Sequence, residues 1–318
     1  MSFQDVPKIE KPTFYLDVAF GRARKRAKSP EGRNKLEKIR VKELSKLEIV
    51  SKTLQEKLRT IITKFPNIDN LTEFYNELIR ALLEYKQLKK SLGAVNWAQQ
   101  MISEYTGKYK GKIKGARSLD DINKHKKEYY GRISSFIKQI SDELEYLEES
   151  RKVIKGFPSI KEGYFTVAIA GFPNVGKTTL LSKLTSSKPD IQAYPFTTKN
   201  LNIGYLKEGV KKIQFIDTPG TLNREDKMNE IEKIAYLAIK YCADMIIYVY
   251  DITEPYSLEN QKKLFKRIKE FDRPTFKYMS KTDVLPAERI KEFSIETIKD
   301  IEELRKKVLE TSSSRLPK

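Results

Sequence analysis

Cysteine and histidine each occur once in this 318-residue chain, and both scarcities exclude chemistry. Cys242 has no partner for an internal disulfide, so a reducing compartment, the cytoplasm, is expected. His125, set among lysines, cannot form a histidine triad or a multi-histidine metal site. Long apolar runs are missing as well. The longest, Ala243–Tyr250, falls well short of the roughly 20 residues that span a bilayer, and Met1–Glu10 is polar. Neither a membrane span nor a leader is expected. Acidic residues are too few to balance the basic ones: 43 Asp and Glu face 62 Lys and Arg, a net charge of +19.

That excess is uneven. Residues 1–155 hold 34 Lys and Arg against 21 Asp and Glu, a net +13, and the rest of the chain supplies +6. A field of this sign attracts polyanions. The Lys/Glu-rich surfaces of heat-adapted proteins tend to balance their signs, and this one does not. Two basic clusters stand out in the first half. The run 21–28 contains Arg22, Arg24, Lys25, Arg26 and Lys28, dense in the guanidinium groups that suit bidentate phosphate contacts. The run 105–114 alternates Lys108, Lys110, Lys112 and Lys114 with small residues and two tyrosines, as a mobile RNA-contacting loop does. The alternative account of either cluster is a solvated charged face.

The same half carries helical periodicity. Leu36, Ile39, Leu44, Leu47, Val50, Leu54, Leu58 and Ile61 form one apolar face that Phe65-Pro66 stops. Asn70-Leu-Thr-Glu73 has the form of a helix start, and helical spacing then continues from Leu71 to Gly93. A shorter helix is expected over Ala94–Tyr105 and a last long one from Ser118 to Gly156. Long helices joined by short turns argue for an antiparallel bundle whose stripes are core.

Chemistry enters with Gly171-Phe-Pro173-Asn174-Val175-Gly176-Lys177-Thr178-Thr179, which fits G-x-x-x-x-G-K-[ST] between an apolar run, Phe165–Ala170, and a helix-like segment. Strand, glycine-rich turn and helix N-terminus in that order make a phosphate-binding loop. Its N–H groups and the helix dipole favour an anion, Lys177 reaches the terminal phosphates, and the Thr178 hydroxyl can hold Mg²⁺. Downstream, Ile213–Asp217 ends a strand in an acid placed to hold Mg²⁺ through water, and Thr-Pro-Gly220 follows, the Gly220 N–H touching a γ-phosphate. Strands are also expected at Met245–Tyr250 and Thr275–Met279. The latter feeds into Ser280-Lys281-Thr-Asp283, which matches the guanine motif [NT]-K-x-D except at its first residue. Asp283 can accept hydrogen bonds from both the ring N–H and the exocyclic amine of guanine, and the Lys281 stem can cover one face of the base. Ser280 has a shorter reach than the usual Asn, so somewhat weaker nucleotide affinity is expected. Ser294 and Ile295 occupy the place of a backbone loop that contacts the guanine carbonyl. Tyr194–Thr198 lies where a first switch loop belongs, and Thr198 is chosen over Thr197 as its Mg²⁺ ligand.

These motifs, with Phe157-Pro-Ser and Tyr194-Pro-Phe-Thr-Thr-Lys199, resemble the Obg-related translation-factor GTPases and, among them, the nucleolar GTP-binding protein 1 family in an archaeal-type form. The motif-bearing resemblance covers about residues 157–296. It implies an α/β P-loop GTPase domain over 159–318, mostly parallel sheet with flanking helices and a short C-terminal helix, preceded by an all-α antiparallel bundle over 1–158. It also implies GTP hydrolysis to GDP and phosphate, Mg²⁺ as cofactor, and work on a large-ribosomal-subunit precursor or its rRNA, with neither membrane nor DNA as partner.

Lys177, Thr198 and Gly220 sense and stabilise the transferring phosphate. Where many GTPases place a water-orienting glutamine the chain has Thr221, too short for that task, so slow intrinsic turnover is expected. Asn174 is a candidate K⁺ ligand that would supply positive charge there; the alternative is an Asn that only shapes the turn. Arg224 is more simply an exposed residue at a helix start. Two other readings stay open: a slow or non-cycling GTP-binding RNA-contact module, and an Obg-like regulator acting through protein partners.

Overall fold

The computed structural model describes residues 3–27, 34–161, 163–185, 190–192, 201–209, 211–218, 230–253, 256–293 and 295–314. The chain divides into two compact units, Met1–Asn70 with Leu83–Lys155, and Leu71–Leu82 with Gly156–Lys318. Against the expected cut at 158, the second unit begins at Gly156 and also takes in the helix α3 (Glu73–Leu82), third after α1 (Pro12–Arg26) and α2 (Lys35–Lys64).

The first unit is a helical bundle of α1, α2, α4 (Tyr85–Gly115), α5 (Leu119–Gln139) and α6 (Ser141–Lys155). Asn34 caps α2 by accepting from the Glu37 N–H at 2.8 Å, and Ser118 opens α5 with a capping box closed by Asp121. Leu47, Leu54 and Leu58 of α2, Leu88, Val95 and Ile102 of α4, Ile122 and Ile133 of α5, and Leu147 of α6 are fully buried. Each such side chain contributes about 1.5–3 kcal/mol. Propensity differences of under about 1 kcal/mol per residue are smaller, so packing holds these helices. The buried Tyr129 hydroxyl donates to the Leu47 carbonyl at 3.2 Å and shares a hydrogen bond with the Thr106 hydroxyl at 3.1 Å.

Three sequence expectations change here. The helix expected to run from 71 to 93 breaks at Leu83-Glu84, and α4 runs straight through Gly93, Gly107 and Gly111. The run 105–114 is therefore the end of a helix and not a loop. Ile102, Thr106, Tyr109 and Ile113 are buried at three- and four-residue steps, and that stripe outweighs the helix-weakening effect of two glycines. The last long helix divides at Ile140 into α5 and α6.

The second unit is a six-stranded sheet in the order β2-β3-β4-β1-β5-β6: β1 (Phe165–Ala170), β2 (Asp190–Gln192), β3 (Leu201–Glu208), β4 (Lys211–Asp217), β5 (Met245–Tyr250) and β6 (Thr275–Met279). β4, β1, β5 and β6 are mutually parallel, whereas β3 runs antiparallel to β4 and β2 to β3. The helices of this unit are α3, α7 (Lys177–Leu184), α8 (Glu230–Cys242), α9 (Leu258–Lys269), α10 (Ala287–Glu292) and α11 (Ile301–Ser313). β1 and β5 are nearly continuous apolar runs because helices cover both faces of a parallel sheet. Gly204 on β3 admits α7: a Cβ there would stand 2.5 Å from the Thr185 methyl and 3.0 Å from Leu181. On α3, Phe74, Tyr75, Leu78 and Ile79 are buried, and the Tyr75 hydroxyl donates to the Pro158 carbonyl at 2.8 Å and accepts from the Ile160 N–H at 3.1 Å. No described helix is long and apolar enough to cross a membrane.

Candidate nucleotide-binding site

Parallel register decides where the site lies. Ile169 pairs with Asp217 across β1 and β4, and Tyr250 pairs with Met279 across β5 and β6. The loops after four parallel strands, holding 171–178, 217, 251 and 280–283, therefore share one edge of the sheet, where ligands of open α/β folds bind.

The phosphate loop folds as its glycines require. Gly171 has φ +152°, and a Cβ on it would stand 2.8 Å from the Val249 carbonyl oxygen, so no side chain fits. Asn174 takes a left-handed φ of 62°, and Gly176, at φ 89°, precedes the first turn of α7. Val175 is buried, Pro173 is half-buried, and Asn174 and Thr179 are exposed. The buried Lys177 Nζ donates to the Phe172 carbonyl at 2.7 Å, curling back over the loop it serves.

Thr178 and Asp217 meet beside it. The Thr178 hydroxyl donates to Asp217 Oδ2 at 2.5 Å, and Asn202 Nδ2 donates to the same oxygen at 3.0 Å. Burial pushes the Asp217 carboxyl above the usual carboxylate range; the bonds from Thr178 and Asn202 and the charge of Lys177 pull the other way. The remaining oxygen, Oδ1, is buried without a hydrogen-bond partner. A buried carboxylate with one bare oxygen costs stability in the free protein and suits a cation. Asn202 is a residue that sequence reasoning missed. It sits on β3, directly across from Asp217 in the antiparallel register, and a strand at 201–208 was not expected.

At the far side, Ser280 is buried with its hydroxyl turned back to the Tyr250 carbonyl at 3.1 Å, while its N–H donates to the same oxygen at 2.9 Å. Lys281 has a left-handed φ of 55°, and its ammonium lies 2.6 Å from Asp251 Oδ2. Asp283 is exposed and Ile295 half-buried. Thr198, Gly220, Thr221, Arg224 and Ser294 lie outside the described residues, as does Lys28.

With this geometry in place, two family models match. The model described as NOG1 N-terminal helical domain covers residues 3–161, and that described as 50S ribosome-binding GTPase covers 166–281. An uncharacterised protein of Methanocaldococcus jannaschii is 37% identical over 91% of this chain and 83% of its own length. The chain belongs to the nucleolar GTP-binding protein 1 family. Nucleolar GTP-binding protein 1 of Saccharomyces cerevisiae is 30% identical over 99% of this chain but only 50% of itself, so the chain spans about half the length of such relatives. Among solved structures, the G domain of the FeoB iron transporter of T. maritima is 28% identical, covering 47% of this chain and 99% of that one at a TM-score of 0.39. A putative nucleolar GTP-binding protein 1 from Plasmodium falciparum is 27% identical, covering 48% and 74% at a TM-score of 0.36.

A GTP-binding domain of this family works with a divalent metal, and the residues present fit one: the exposed Thr178 donates its proton to Asp217 Oδ2 and keeps its oxygen as an acceptor, and Asp217 Oδ1 is the bare oxygen of the same carboxylate. Among the described residues there is no group of three or more His, Cys, Asp or Glu that could hold a metal ion. The candidate RNA-contact residues fall on two helix ends. Arg22, Arg24, Lys25 and Arg26 are exposed on the last turns of α1. Lys108, Lys112 and Lys114 are exposed on α4, with the ammonium of Lys108 over the Tyr105 ring and that of Lys112 over Tyr109. Lys110 is half-buried and paired with Glu48 at 2.9 Å.

Proposed function

We propose that the protein hydrolyses GTP to GDP and phosphate as a switch in large-ribosomal-subunit assembly, with its basic helical unit contacting rRNA. The observation that carries the nucleotide half is the Thr178–Asp217 pair beside Lys177, with its bare buried oxygen. Thr178 and Asp217 would hold Mg²⁺ there, and it would supply positive charge against the phosphates. The chain's own groups do the rest. Lys177 leaves the Phe172 carbonyl for the terminal phosphates, the loop N–H groups hold those phosphates in place, and Asp283 selects guanine. Thr198 and Gly220 sense the γ-phosphate, and the Ser294–Ile295 loop meets the guanine carbonyl. Asn174, exposed on the loop, would hold K⁺ and so supply positive charge where turnover otherwise lacks it; equal GTPase rates in K⁺ and Na⁺ would remove this part.

The rRNA half rests on the net +13 of residues 1–155 and on the exposed arginines of α1. The single cysteine fits work in a reducing compartment, the cytoplasm. The test is GTP turnover with and without large ribosomal subunits from the same source. Marked stimulation is expected. Absence of any subunit binding, in every nucleotide state, would end the ribosomal assignment and leave a regulator working through protein partners.

A further inference from the structure

The guanine motif of this chain starts with a residue that cannot reach far. Ser280 uses its hydroxyl and its N–H on one acceptor, the Tyr250 carbonyl, and so ties the ends of two strands together. One residue beyond Tyr250 stands Asp251, which is wholly buried. Its Oδ2 lies 2.6 Å from the Lys281 ammonium, and its Oδ1 accepts from the N–H and hydroxyl of Thr253 at 2.8 and 2.7 Å. Its main chain is clasped by a second buried residue: Gln261 accepts from the Asp251 N–H at 3.0 Å and donates to its carbonyl at 2.6 Å. The same amide also donates to the Tyr256 carbonyl at 3.1 Å. The Tyr256 ring packs on Phe172, centroids 4.6 Å apart, and the Phe172 carbonyl is the one that Lys177 holds.

A contiguous set of contacts thus runs from the lysine of the guanine motif, through Asp251, Gln261, Tyr256 and Phe172, to the phosphate loop. None of it follows from the motifs. Two physical points say that the Asp251 carboxylate serves Lys281. A wholly buried carboxylate is costly unless paired, and the ammonium is its charge partner. Lys281 itself holds a left-handed backbone, which a residue with a Cβ keeps only where surrounding contacts over-determine it.

We propose that Asp251 is the positioning residue of the guanine site: it fixes the Lys281 stem where the base must lie and, through Gln261 and Tyr256, braces the phosphate loop against it. This supplies the bracing for which Ser280 is too short. The inference rests on the guanine-nucleotide reading above and adds the residue on which base affinity depends.

A double-mutant cycle on the full chain tests it, with GDP as the probe because it is not consumed. Asp251→Asn and Lys281→Met are each expected to weaken GDP binding about 30-fold. The double variant should be no more than about twofold weaker than the worse single, because both remove one interaction. ADP binding, which lacks the base contact, should move less than threefold. Multiplicative losses, or wild-type GDP affinity in Asp251→Asn, would overturn the inference. Should Asp251→Asn fail to fold, Asp251→Ser is small enough for the same space and is read the same way. The unaltered protein gives a readout of its own: Lys281 should acetylate at least about tenfold more slowly than exposed Lys262, and equal labelling also overturns the inference. If wild-type protein binds no GDP, the guanine reading itself fails; if it binds GDP but Asp251→Asn matches it, only the role of Asp251 does.

Discussion

Among the described residues, the helical unit buries one acidic or basic side chain, Glu43, and the GTPase unit buries three, Lys177, Asp217 and Asp251. Glu43 is answered locally, by Lys46 at 2.6 Å and more distantly by Lys126 at 4.0 Å. The three in the GTPase unit all lie at one edge of the sheet. Burying charge is expensive, so a fold gathers it only where a ligand or a partner charge offsets the cost. The bundle keeps its many charges outside and stands on aliphatic stripes. The contrast separates a unit that gathers charge at one interior edge from one that keeps its charge on the surface, as the proposed rRNA contact requires.

The largest expected effect breaks the first half of that contrast. Lys177→Ala should weaken GTP binding about 1000-fold, roughly 4 kcal/mol, with the far-ultraviolet helix signal unchanged. Leu47→Ala does the reverse. It should cost about 3 kcal/mol of stability in denaturant titrations, as a fully buried leucine does, and leave GTP affinity within about twofold. Asp283→Asn, at an exposed position, should lower GTP affinity about 100-fold, near 2.7 kcal/mol, and gain xanthosine triphosphate binding, because an amide can donate to the extra carbonyl of xanthine.

Changing Arg22, Arg24 and Arg26 together to Gln should flatten the dependence of RNA affinity on salt. A decrease of about 2 in the slope of log affinity against log salt is expected, with nucleotide affinity untouched. The smallest effect sharpens the cost of the site. The Asp217 carboxyl is held above its ordinary range by burial, so stability present below the unfolded-state value is lost as pH rises through the higher folded-state value. Asp217→Asn removes that loss. The ligand-free variant should unfold at a higher temperature than wild type at neutral pH, while losing Mg²⁺-dependent nucleotide binding. Equal unfolding temperatures at neutral and acid pH would argue against a strained carboxylate.

Local pattern made much of this readable before the structure. Strands β1, β4, β5 and β6 are apolar runs ending at motif residues, and the order of those motifs placed Lys177, Thr178 and Asp217 at one edge. What escaped depends on partners distant in sequence. β3 is a pairing decided by β4, and it brings Asn202 to Asp217. Asp251 follows an ordinary strand, and only the 30-residue span to Lys281, closed by parallel pairing, reveals its role. On α4, Gly107 and Gly111 among lysines read as a loop, because glycine content weighs heavily in a short window. The buried stripe of Ile102, Thr106, Tyr109 and Ile113 extends over a longer one and wins. At the start of α2 the pattern pointed to Leu44, yet Glu43 is the buried residue, since Lys46 can answer its charge inside the bundle.

The proposed switch requires that the nucleotide held at one unit govern what the other unit binds. Its most direct test is the affinity of the full chain for large ribosomal subunits, measured with a non-hydrolysable GTP analogue and with GDP across a salt series. Tighter binding with the analogue, falling steeply with salt and flattened by the Arg22, Arg24 and Arg26 changes, is the predicted result. Equal affinity in both nucleotide states would contradict the account, leaving a GTP-binding module whose nucleotide does not act as a switch.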